Sequence, residues 1–111
     1  MFAAWSTDGA ASFGAPVRID DGAPLGRVSV VLLPDGAMAV AWLEVVGEDG
    51  AMRLRRVTPD GRLHRAITLA ITAPTRPAGF PRLGVVPEGV LAAWTAPADS
   101  GVRVRLVRRL P

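Results

Sequence analysis

The sequence predicts an all-β chain of short antiparallel strands arranged in four-stranded, blade-like sheets. Three observations predict it. Apolar residues recur at period two in short runs, and no long stretch carries a helical period. The ten prolines and twelve glycines are spread along the chain instead of gathering in one linker, so turns close most runs. Finally, one order of turn, small-residue strand, tryptophan and arginine-bearing strand occurs twice.

The first strand candidate is "FAAWS", followed after a turn by "GAPVRI". "RVSVVLL" comes next and is ended by the "PDG" turn at 34–36. In "AMAVAWLE", Met38, Val40 and Trp42 share one face, and Ala37, Ala39 and Ala41 the other. Large residues on one side and small ones on the other predict a strand buried on both faces between closely stacked sheets. "AMRLRRV" puts Arg53 and Arg55 on the face of Val57, with Met52 and Leu54 opposite, so a half-exposed strand is expected. A second "PDG" at 59–61 leads into "RLHRAITLAI", where Leu63, Ile67, Leu69 and Ile71 form the expected buried face. "TAPTRPAG" then reads as a loop, because its prolines cannot donate to a central ladder.

From Phe80 the pattern restarts. The turns at Pro34 and Pro87 are 53 residues apart, and Trp42 and Trp94 are 52 apart. A unit of about four strands with this period is of the length expected for propeller blades. The counted strands divide the chain into 1–24, the end of one blade; 25–74, one complete blade; and 75–111, the first three strands of a further blade.

Composition excludes several classes. At 111 residues the chain is sufficient for one core, and 50% hydrophobic with 21% charged residues argues against disorder. Without cysteine there are no disulfides and no thiolate metal sites. All 13 basic residues are arginine, and the net charge of +3 is mild. The longest apolar runs are too short for a bilayer, so no membrane partner is expected, and no signal peptide is visible. Met1 leads straight into "FAAW" without a cap or arm, as expected of a segment of something longer.

The opening turn "STDGAASF" carries a resemblance. Ser6, Asp8, Ser12 and Phe13 resemble the Asp-box, Ser-x-Asp-x-Gly-x-Thr-Trp, of the sialidase-like (neuraminidase, BNR-repeat) β-propeller family. Ser12 stands for Thr and Phe13 for Trp, while Ala10 departs from the pattern where the box has glycine. The resemblance implies a partial propeller of the sialidase type, about two and a half blades of six. It also implies that the box stabilises a hairpin without catalysing anything, its acid accepting backbone N–H groups and its aromatic anchoring the turn on neighbouring strands. The turns "VTPDGRL" and "PADSGV" fit the same hairpin position without carrying the box.

In that family an arginine triad grips the sugar carboxylate and a tyrosine, activated by a glutamate, is the nucleophile. This sequence has no tyrosine, so no catalytic residue carries over. "FPRL" at 80–83 resembles the family's Phe-Arg-Ile-Pro motif only in scrambled order, and nothing is transferred from it. Arg27 and Arg82 stand near the starts of the two candidate inner strands, where a central ligand is reachable; loop-edge ion pairs or solvent are the plainer expectation.

The remaining candidates are weaker. His64, the single histidine, is expected at the surface with no fixed acid or serine partner. Asp20-Asp21 and Glu48-Asp49 could suggest a cation, but acidic pairs are ordinary in turns. Arg53, Arg55, Arg103 and Arg105 could read a polyanion, but read first as solvated outer-strand charges. Aromatics do not interleave with them, so no nucleic-acid partner is expected.

The sequence therefore leads to a structural or interaction segment of an Asp-box propeller, with no cofactor and no metal. The alternatives are a portion of an exo-α-sialidase or related glycoside hydrolase whose catalytic residues lie in other blades, with a carbohydrate ligand, and a small arginine-rich anion-binding module. The expected partners are the chain itself, through completion of half-blades, or the rest of a larger propeller. The compartment stays open, extracytoplasmic if the resemblance extends to a longer parent. Exposed blade faces predict self-association or poor solubility of the isolated chain.

Overall fold

Most of the period-two runs become strands. The structure is a computed structural model and describes residues 1–74, 79–96 and 101–111. Among the described residues, nine strands form three antiparallel sheets of consecutive strands. β1 (Phe2–Ala3) pairs with β2 (Val17–Arg18). β3 (Ser29–Leu32), β4 (Met38–Val46), β5 (Asp49–Val57) and β6 (Ile67–Thr72) form a four-stranded meander. β7 (Gly79–Val86), β8 (Gly89–Ala96) and β9 (Gly101–Val107) form a three-stranded one. The expected loop at 72–79 and turn at 97–102 lie partly outside the described residues.

The sheets stack as layers, and β4 lies at the centre. Its Met38, Val40 and Trp42 face the two-stranded sheet in one apolar cluster with Ile19 and Val57. Its Ala39, Ala41 and Leu43 face the three-stranded sheet in a second cluster, with Met52, Leu54, Val90, Ala92 and Trp94. The small side of β4 gives the bulky Trp94 ring room in that cluster, so the predicted large-and-small strand is buried on both faces. All seven residues from Met38 to Glu44 are buried.

The tight connections follow from local chemistry. At the β3–β4 turn Gly36 takes a φ of 87°, and its N–H donates to the Leu33 carbonyl at 3.0 Å. Asp35 Oδ1 accepts from the Ala37 N–H at 3.0 Å, an Asx-type brace. Gly89 opens β8 with a φ of 148°, and a Cβ there would lie 2.2 Å from the Val107 carbonyl oxygen. Only glycine lets β8 and the end of β9 approach so closely.

Three expectations need correction. The strands expected in "FAAWS" and "GAPVRI" contract to two-residue ladders, because the chain between them is taken up by a long turn. The strand expected to start at Arg62 begins at Ile67, with only a single bridge from Leu63 to Val57 before it. Lastly, the predicted buried face of β6 breaks. Met52 pairs with Ala70 but Arg53 pairs with Thr68, so Leu69 is an extra residue, a β-bulge. Ile67, Leu69 and Ala70 all pack on the core, the parity flips, and Ile71 points outward at 63% exposure; Leu63 is exposed as well.

The bulge gives a direct test. By urea unfolding, Leu54→Ala is expected to lose about 2–5 kcal/mol as a buried truncation. Ile71→Ala is expected to change stability by no more than about 0.5 kcal/mol as a surface change. Equal losses would restore Ile71 to the core.

Candidate functional site

The opening turn is built around one carboxylate. Between β1 and β2, Ser6 Oγ donates to Asp8 Oδ1 at 2.8 Å and accepts from the Ala10 N–H at 2.8 Å. Ser12 donates twice to Asp8, from its N–H to Oδ1 at 2.9 Å and from its hydroxyl to Oδ2. The Ser12 hydroxyl first, then the Ser12 amide and the Ser6 hydroxyl, hold Asp8 at a pKa of about 2, below its ordinary 3.8. Gly9 and Ala10 take consecutive positive φ values of 70° and 71°. Alanine therefore adopts the conformation glycine would supply, at a cost of about 1–2 kcal/mol that the turn's hydrogen bonds offset.

Phe13 does not anchor this turn on neighbouring strands, since it is 62% exposed. Trp5 packs instead, against the Trp42 cluster, and its carbonyl accepts from the Gly14 N–H at 2.8 Å. Nothing in the "STDGAASF" pattern distinguishes these two aromatics; the bulk of Trp5 next to the short β1 was the available signal. The turn "VTPDGRL", expected at the same hairpin position without the box, keeps part of its bonding. Thr58 and Asp60 stand 52 residues after Ser6 and Asp8. The Thr58 hydroxyl likewise donates to Asp60 Oδ1, which also accepts from the Arg62 N–H at 3.2 Å. These bonds, the Thr58 hydroxyl foremost, lower the Asp60 pKa.

A second polar cluster joins the first two layers. Glu44 is buried at the end of the β4 core and saturated: it accepts from the Asp21 N–H at 2.6 Å, the Ala23 N–H at 2.7 Å and Trp42 Nε1 at 3.1 Å. Asp20, also buried, accepts from Arg18, from the Met1 amino group and from the Gly22 N–H. The Arg18 guanidinium is the main cause of its strongly lowered pKa. Arg55 donates to the Ile19 and His64 carbonyls and to Asp21 Oδ1, with its guanidinium 5.6 Å from the Trp42 ring centroid. Arg55 is thus a clamp between layers and not a solvated stripe. Its partners lie nine to 36 residues away, which strand parity cannot reveal.

Other candidates are separated or occupied. Arg27 (φ 56°) leans over the Phe80 ring (φ 43°), 4.1 Å from its centroid. Nearby, Ser29 Oγ accepts from the Leu83 N–H at 3.2 Å, joining β3 to β7. Arg82 is exposed on the opposite face of β7, beside Ala93, and does not line the shallow hollow formed by Pro24, Leu25, Gly26 and Arg27. His64 is half-buried, with Nε2 3.2 Å from Arg56 Nη1, whose Nη2 donates to Asp35 at 2.6 Å. Glu48 is exposed in the β4–β5 turn and Asp49 at the start of β5, while Arg103 and Arg105 are exposed on β9. Among the described residues no three His, Asp or Glu groups are gathered to hold a metal.

The carboxylates that are buried already accept hydrogen bonds from the chain, so their chemistry is structural. Glu44→Gln is expected to lose about 1–3 kcal/mol in thermal or urea unfolding, because the amide turns a donor toward a buried N–H. Unchanged stability would remove Glu44 from the junction.

No protein-family model, curated protein or solved structure matches this chain.

Proposed function

We propose that the chain is a structural and interaction segment of a sialidase-like, Asp-box β-propeller and carries no catalytic site of its own. The observation that supports this most is the Ser6–Asp8–Ser12 turn, with its partial copy at Thr58 and Asp60. In both places a hydroxyl two residues before the acid donates to it, and both turns connect the last two strands of a layer. The stacked four-stranded meander and the Trp42 and Trp94 repeat agree with the same reading.

The turn works as a staple. Its acid ties the two ends of a long connection, so that two-residue ladders suffice to hold β1 and β2 on the Trp42 face. The bound form is the carboxylate. Its stabilising effect is therefore complete above the ordinary pKa of 3.8 and disappears as pH falls through about 2. The Ala10 and Ser12 amide resonances are expected to titrate with a midpoint near that lower value; a midpoint at the ordinary one would remove Asp8 from the network. Asp8→Ala is expected to make the chain between β1 and β2 the first site of proteolytic cleavage.

A second reading is a portion of an exo-α-sialidase with a carbohydrate ligand, for which the exposed Arg27 and Arg82 would have to reach one ligand from different sides of β7. The purified chain is expected to release nothing from a fluorogenic sialoside. Turnover abolished by changing either arginine would replace the first reading with the second.

A further inference from the structure

The repeat extends to individual ladder positions. Trp42 pairs with Arg53 and Trp94 with Arg103. Val40 pairs with Arg55 and Ala92 with Arg105, while Met38 pairs with Val57 and Val90 with Val107. Both tryptophans face the preceding layer. Each sheet therefore has a tryptophan side, which packs on the layer before it, and a trailing side, which receives the layer after it.

Two halves of this repeating interface are uncovered. On the four-stranded sheet the trailing side holds Ala39, Ala41, Met52 and Leu54, none more than 1% exposed because the three-stranded sheet covers them; Ala41 is 0% exposed. The matching positions of the three-stranded sheet are Leu91, Ala93, Val102 and Val104. Here Leu91 is 38%, Val102 63% and Val104 62% exposed. The tryptophan side of β3 is the other uncovered half: β1 and β2 shield its neighbours Met38 and Val40, but Val28, Val30 and Leu32 stay open. The positions on β7 that match them include Leu83, which is half-buried against the four-stranded sheet. Beside β3 runs an apolar groove lined by Phe2, Ala4, Val28, Val30 and Met38.

We infer that the occupant of the trailing face of the three-stranded sheet is a second copy of this chain, which presents its open β3 face, so that copies associate head to tail. The fit is argued from the molecule's own junction. The trailing face offered matches in position one that the chain already buries, and the open β3 strip matches the Leu83 end of the face that buries it, the rest of that side being covered by β1 and β2. The partner lays its β7, β8 and β9 beside β1 and β2, over the apolar groove that opens next to β3. The contact is heterologous, since different patches meet, and it continues beyond a dimer unless a ring closes.

This inference rests on the stacked layers and deepens the proposed role as an interaction segment. The test is the mass in solution, by light scattering over a concentration series, with circular dichroism on each sample. The wild-type mass is expected to rise beyond the dimer. Val104→Glu alone and Val30→Glu alone are each expected to hold the monomer mass with an unchanged β spectrum. Mixed in equal amounts, the two are expected to form a dimer and stop, each retaining one competent face. Should either variant unfold, Val102→Arg and Leu32→Arg probe the same faces.

Three outcomes overturn the inference. A folded wild-type monomer at every concentration assigns these faces to other layers and leaves the Asp8 titration to judge the propeller reading. Val30→Glu still dimerising alone means that two trailing faces meet symmetrically. A mixture that stays monomeric means that the two faces do not match.

Discussion

The fold depends on burying both sides of β4 at once. Every other element is placed by what that strand needs. The two-stranded sheet, too small to stand alone, is held against Met38, Val40 and Trp42, while the three-stranded sheet lies on the alanines of the other side. Alternating large and small residues make this possible, because two sheets can approach the same strand only if one of its faces is shallow. Without that alternation the three sheets could not stack, and the two-stranded one would be marginal on its own.

The two junctions are built differently. The first is apolar in the middle and polar at the rim, where Glu44, Asp20 and Arg55 hold the crossing chain through its own N–H and C=O groups. This arrangement gives the N–H groups of Asp21, Gly22 and Ala23 carboxylate partners where the connection from β2 to β3 crosses the rim. At the second junction the residue two beyond Trp94 is Ala96 instead of a glutamate, and Arg105, the counterpart of Arg55, is exposed. Apolar packing and the Ser29–Leu83 hydrogen bond hold this junction. The first two layers thus form a latched pair, with the third added by burial.

Much of the architecture was legible because it follows from period and turn chemistry. The both-sides burial of residues 38–43 could be read from alternation alone, as could the antiparallel all-β class. What escaped was set by tertiary events that leave no local trace. One bulged residue, Leu69, reverses the parity of β6 and turns Ile71 outward. Arg55 looks like a surface charge in its own strand and becomes a clamp only through partners on distant loops. Phe13 matched a motif position yet is exposed, whereas Trp5, outside the motif, is the packed aromatic. The candidate site was legible in its acid and hydroxyls and illegible in its anchoring.

The central claim is that β4 is the common wall of two stacked interfaces. Amide hydrogen exchange resolved by residue tests it most directly. The N–H groups of β4 are expected to be the slowest in the molecule and to exchange only through global unfolding, with β2 and the edge of β9 opening earlier. If β4 exchanges as fast as β2 or β9, the layers do not share that wall and the account is wrong.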